Sequence, residues 1–149
     1  MSTLSNPLEI RPIARAIGAE IGGVDLHELD DRAVAAIRRA WLDHCVIFFR
    51  GQHLSPAQLV AFARRLGEPI DYPFLKGLDG FPEITPVIKL EHETVNFGGI
   101  WHSDTAYLDH PPMGSMLLAR EVPAYGGDTI FANMYLAYET FVRGHAAST

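Results

Sequence analysis

Asn96-Phe97-Gly98-Gly99-Ile100-Trp101-His102-Ser103-Asp104-Thr105 is the stretch that sets the terms for the rest of the chain. If its core is extended, successive side chains point to opposite faces, so His102 and Asp104 share one face and Ser103 turns away. An imidazole nitrogen and a carboxylate oxygen then meet at one point, and a further ligand must come from elsewhere. That is two thirds of the two-histidine, one-carboxylate facial triad that holds non-haem Fe(II) with open positions. The Gly98-Gly99 pair lets the backbone turn into such a site. With 7 His and 9 Asp in 149 residues, chance alone supplies about 0.4 His-x-Asp pairs. Spacing by itself therefore leaves a surface histidine beside a turn aspartate as the plainer reading.

The flanking text is more specific. Trp101-His102-Ser103-Asp104 is followed by Pro111-Pro112-Met113-Gly114-Ser115-Met116-Leu117 and by Gly126-Gly127-Asp128-Thr129-Ile130-Phe131-Ala132-Asn133-Met134. Upstream stand Ile17-Gly18-Ala19-Glu20-Ile21-Gly22-Gly23-Val24-Asp25-Leu26 and His44-Cys45-Val46-Ile47-Phe48-Phe49-Arg50-Gly51-Gln52. Together these words resemble the taurine/2,4-dichlorophenoxyacetate (TauD/TfdA) family of Fe(II)- and 2-oxoglutarate-dependent dioxygenases. The likeness runs from about Ile10 to Glu139 and covers the front part of a family member. The resemblance implies that the second metal histidine and the 2-oxoglutarate-binding arginine belong to a later segment. Residues 1–149 thus read as a single domain, cut short at its C-terminal end.

Composition agrees with a packed protein. At 48% hydrophobic and 20% charged, the chain is globular in texture and long enough to bury a core. A net charge of −6 argues against nonspecific nucleic-acid binding, which needs a basic footprint. The single Cys45 excludes an intramolecular disulfide and suits a reducing, cytoplasmic setting. Met1 to Leu8 lacks the apolar core of a signal peptide, and no apolar run approaches a membrane span.

In chain order, the polar opening to Pro7 reads as a frayed terminus. Ile10 to Ile13 reads as an edge strand, because Pro12 cannot donate to a central ladder. Gly18, Gly22 and Gly23 punctuate the next stretch into strand and turn. Asp30 or Asp31 caps a helix to about His44, with Val34, Ile37, Trp41 and Cys45 at helical spacing. Val46 to Phe49 suits a strand buried on both faces. Ser55-Pro56-Ala57-Gln58 carries a serine cap, a first-turn proline and a capping-box glutamine. Leu59, Phe62, Ala63 and Leu66 then form the inward stripe and Gly67 the stop. Glu68 to Pro86, rich in Pro and Gly with interleaved aromatics, reads as a loop able to cover a pocket. Thr85–Leu90, Ser115–Arg120 and Thr129–Ala132 are expected strands. Asn133 caps a last helix that Gly144 should stop. These elements predict a β-rich α+β domain, which the resemblance sharpens to a double-stranded β-helix (jelly-roll) with flanking helices.

The resemblance also implies the chemistry. His102 and Asp104 would be the metal ligands and so the catalytic centre, with Fe(II) as cofactor and 2-oxoglutarate and O2 as co-substrates. A small, polar or anionic organic substrate would be hydroxylated with release of succinate and CO2. Thr129 matches the family threonine that hydrogen-bonds a 2-oxoglutarate carboxylate. Trp101, Tyr72 and Asn96 are candidates for the substrate pocket. Taurine-specific members carry a histidine and a tyrosine after the second helix and an asparagine just before the metal motif. Here those places offer Tyr72, Leu75 and Gly98, with Asn96 two residues earlier, so taurine is disfavoured. Two other readings stand beside this one. One is a catalytically inactive truncated fragment that binds or homo-oligomerises through open sheet edges. The other is a small cupin-type metal protein, which would want more in-strand histidines.

Overall fold

The computed structural model describes residues 8–146. The expected frayed opening, residues 1–7, and the end of the tail, residues 147–149, lie outside the described residues. The chain gathers into two compact units, one from residues up to His53 together with those from Glu121 onward, the other Leu54–Arg120.

The first unit is built on a three-stranded sheet in the order β1-β2-β3: β1 (Glu9–Pro12), β2 (Ala19–Gly22) and β3 (Ile47–Phe48). β1 pairs antiparallel with β2, Ile10 opposite Ile21, and β2 pairs parallel with β3, Ala19 opposite Ile47. Pro12 sits at the edge, as its missing N–H demands. Ala19 and Ile21 are buried while Glu20 alternates outward. There the Glu20 carboxylate meets Arg50 at 3.3 Å and Arg11 at 3.8 Å. Helix α1 (Asp31–His44) begins where the Asp30 carboxylate accepts the Ala33 N–H at 2.7 Å. It buries Ala33, Val34, Ile37 and Ala40 and packs on β2 and β3. Trp41 is half-buried and turns its indole N–H onto the Cys45 carbonyl at 3.1 Å, closing the helix end. Gln52 ties the chain back to the region after β2, accepting the Leu26 N–H at 3.0 Å and donating to the Val24 carbonyl at 3.2 Å.

In the second unit, helix α2 (Pro56–Leu66) forms as its opening words require. Ser55 and Gln58 make the reciprocal capping box, and Gly67 ends the helix by donating to Ala63. Val60 and Phe62 are buried together with Leu54. The following loop is held to the helix by Arg64 and Glu83 at 3.1 Å and closed on itself by the Leu78–Phe81 bridge. Among the described residues, the last helix of the chain, α3 (Met134–Ala146), belongs to the first unit.

Several expectations need correction. Thr85–Leu90, Ser115–Arg120 and Thr129–Ala132 have extended-strand composition but pair with nothing as strands. A strand exists only when a neighbour takes its N–H and C=O groups, and these segments have no such neighbour among the described residues. Helices of 14, 11 and 13 residues outweigh strands of 4, 4 and 2; the described chain mixes α and β without being β-rich. β3 is half-buried at an edge instead of covered on both faces. Helix α3 runs through Gly144, which does not stop it.

The α1–sheet contact yields a direct test. Ile37, wholly buried, should cost about 2–5 kcal/mol when cut to alanine. Leu42 on the opposite face, 62% exposed, should cost no more than about 0.5 kcal/mol. Urea unfolding followed by circular dichroism measures both.

Candidate metal centre

The backbone turns into the motif at Asn96–Gly99, where the Gly99 N–H donates to the Asn96 carbonyl at 3.2 Å. Gly98 has φ +69, a conformation that favours glycine. A Cβ placed there would come within 3.2 Å of His102 Cε1, so the bare glycine also makes room for the imidazole. Beyond the motif the chain reverses. Thr105, only 7% exposed and at φ +41, accepts the Leu108 N–H at 3.1 Å.

Between these two turns, in a segment that is not a strand, the two side chains meet. His102 Nε2 lies 3.1 Å from Asp104 Oδ1. The other imidazole nitrogen, Nδ1, is 2.8 Å from the Ile100 carbonyl oxygen; only a protonated Nδ1 can donate there, which leaves Nε2 as the nitrogen that faces Asp104. The other carboxylate oxygen, Oδ2, accepts the Ser115 hydroxyl at 2.7 Å. The two donors fit one cation: ligand bonds of about 2.1 Å meeting at roughly a right angle put donor atoms about 3 Å apart. Among the described residues no group of three or more His, Cys, Asp or Glu side chains gathers around one point.

Of the other residues singled out, Asn96 lines an open depression of about 460 Å³ with Thr94, Val95, Gly98, Gly99 and Ile100, so the depression adjoins the His102 turn. Tyr72 stacks edge-on to Phe74 at 5.5 Å, and Phe74 meets Tyr107 at 6.3 Å. That chain of rings brings the loop after α2 to within three residues of Asp104. Trp101 is 71% exposed and is not among the residues lining the depression. Thr129 belongs to the first unit and is exposed, whereas His102, Asp104, Tyr72, Asn96 and Trp101 all belong to the second. Sequence reasoning missed Ser115, whose only signal was its place in the Pro-Pro-Met-Gly-Ser word, and the Ile100 carbonyl, which no side-chain pattern reveals.

A histidine–carboxylate pair with converging donors and its outer atoms tied defines a candidate non-haem metal centre. The profile of the taurine catabolism dioxygenase TauD, TfdA family matches residues 9–147. The chain belongs to that family. It is 40% identical over 134 residues to the alpha-ketoglutarate-dependent sulfate ester dioxygenase of Pseudomonas putida, covering 89% of this chain and 44% of that protein. It is 38% identical to an alkylsulfatase of Acinetobacter baylyi, over 91% of this chain and 44% of that protein. It is 34% identical to an (S)-phenoxypropionate/alpha-ketoglutarate-dioxygenase of Delftia acidovorans, over 91% and 50%. The chain spans about half the length of these curated relatives.

The Ile100 carbonyl, opposed by modest desolvation and aided by the Asp104 carboxylate, raises the His102 pKa above the ordinary histidine value. The protonated ring's contribution to folding is therefore complete below that ordinary value and is lost as pH climbs through the raised one. Metal ligation has the opposite sense, because it needs the neutral ring. An NMR titration of the His102 Cε1 proton should give a midpoint above that of an unperturbed histidine. Asp104→Asn should lower the midpoint, leaving the part due to Ile100.

Proposed function

We propose that the protein of which this chain forms the described part is an Fe(II)- and 2-oxoglutarate-dependent dioxygenase that hydroxylates a small anionic organic molecule. The single observation that carries this reading is the 3.1 Å approach of His102 Nε2 and Asp104 Oδ1 with both outer atoms already engaged. Family membership supports the reaction class. The activities of the relatives, on sulfate esters and a phenoxypropionate, support an anionic substrate.

In this reading His102 presents Nε2 and Asp104 presents Oδ1, each oriented by its neighbour, and metal binding displaces the proton that the Ile100 carbonyl and the Asp104 carboxylate favour on the ring. Fe(II), when bound with 2-oxoglutarate, supplies the activation of O2, with the co-substrate leaving as succinate and CO2 while one oxygen atom enters the substrate C–H bond. Thr129 donates its hydroxyl to a carboxylate of 2-oxoglutarate. Asn96 and the Thr94–Ile100 depression receive the substrate, with Tyr72 and Trp101 as further candidates for contact with it. The three-stranded sheet and its helix form the opening elements of a jelly-roll. The lone Cys45 supports a cytoplasmic setting. Among the described residues no helix is long and apolar enough to cross a membrane.

The test is succinate release from 2-oxoglutarate in the complete protein with a panel of sulfate esters and aryloxy acids. His102→Ala or Asp104→Ala should abolish Fe(II)-dependent succinate formation; undiminished turnover in either would sink the metal assignment. Thr129→Ala should weaken 2-oxoglutarate binding by about 1.5–3 kcal/mol, the worth of one hydrogen bond to a charged group. An unchanged affinity, read by calorimetry, would remove Thr129 from the site. Wild-type protein that releases no succinate with any member of the panel would favour the inert-fragment reading.

A further inference from the structure

The Asp104 carboxylate raises a question that metal ligation alone leaves open. Its two oxygens are chemically equivalent and exchange by a half-turn about a soft terminal torsion. Nothing in the His-x-Asp spacing decides which oxygen faces the cation, or whether both do. Ser115 breaks that equivalence. Its hydroxyl donates to Oδ2 at 2.7 Å, the length of a charge-assisted O–H···O⁻ bond, while Oδ1 faces His102 Nε2.

Ser115 reaches this place by a built route. The turn at Thr105–Leu108 reverses the chain, and Pro111-Pro112 stiffens its return. The Met113 methyl lies 3.5 Å from where a Cβ on Gly67 would stand, seating the segment against the end of α2. Ser115 thus comes to Asp104 from eleven residues away.

We propose that Ser115 is a positioning residue for the metal carboxylate. By holding Oδ2 it keeps Asp104 a one-oxygen ligand through Oδ1, so that the remaining metal positions stay open for the co-substrate and O2. The assignment rests on the metal reading of His102 and Asp104 and deepens it. It predicts that Ser115 acts on the cation only through Asp104.

The test is Co(II) titration of the full chain, followed by visible d–d absorption, with circular dichroism confirming that α1 and α2 remain folded. Ser115→Ala should raise the Co(II) dissociation constant about 10-fold or more, within the range that loss of a ligand's hydrogen-bond partner produces. Ser115→Thr, which keeps the hydroxyl, should restore it and the wild-type spectrum. In an Asp104→Ala background, Ser115→Ala should have no further effect. Unchanged Co(II) affinity in Ser115→Ala, beside a clear loss in His102→Ala, would overturn the assignment and leave the metal reading standing. The same loss from Ser115→Ala with and without Asp104, or no rescue by threonine, would also overturn it, because the effect would then be general to the loop. Unchanged affinity in both His102→Ala and Asp104→Ala would instead sink the metal reading itself.

Discussion

An extended backbone needs a neighbour to take its hydrogen bonds, and that requirement governs this structure. β2 has neighbours on both sides, so Ala19 and Ile21 can be presented to α1 as a buried face. Where no neighbouring strand is present among the described residues, equally strand-like text stays irregular. Val87, Ile88, Leu117 and Ile130 are all more than half exposed. Apolar composition favours burial, but it cannot supply the ladder that burial in a sheet requires.

The same contrast explains how a metal-type pair forms in a region without strands. His102 and Asp104 are not aligned by a sheet. They are aligned by local devices: a glycine turn before the motif, a buried threonine turn after it, a carbonyl on one ring nitrogen and a hydroxyl on one carboxylate oxygen. Each device acts within about a dozen residues. The geometry of the His102–Asp104 pair is therefore set by short-range chemistry. Both side chains remain about half exposed.

Much of the front half was legible from residues alone, for identifiable reasons. α1 and α2 were readable because their signals are local: Asp30 or Asp31 and Ser55 as caps, Pro56 in the first turn, apolar spacing at 3.6; only the structure chose Asp30. The edge position of β1 followed from one missing N–H at Pro12. The inward stripe was less accurate. Ala33 and Ala40 of α1 are buried where the larger Trp41 is only half-buried, because close helix–sheet approach selects small side chains at the contact; on α2 Val60 is buried and Leu59 half-buried. Strands were the weakest expectation, since their existence depends on a partner distant in sequence.

By itself, then, the sequence determined the helices, the edge strand and the family to which the chain belongs. All of these rest on contacts between residues near in the chain or on motif identity. Only the tertiary structure decided that Nε2 and Oδ1 are the converging atoms, that Ser115 holds the second oxygen, and that the Tyr72 loop reaches the motif through Phe74 and Tyr107. Which of two equivalent atoms faces a site depends on where a distant segment returns, and one-dimensional spacing carries no record of that return.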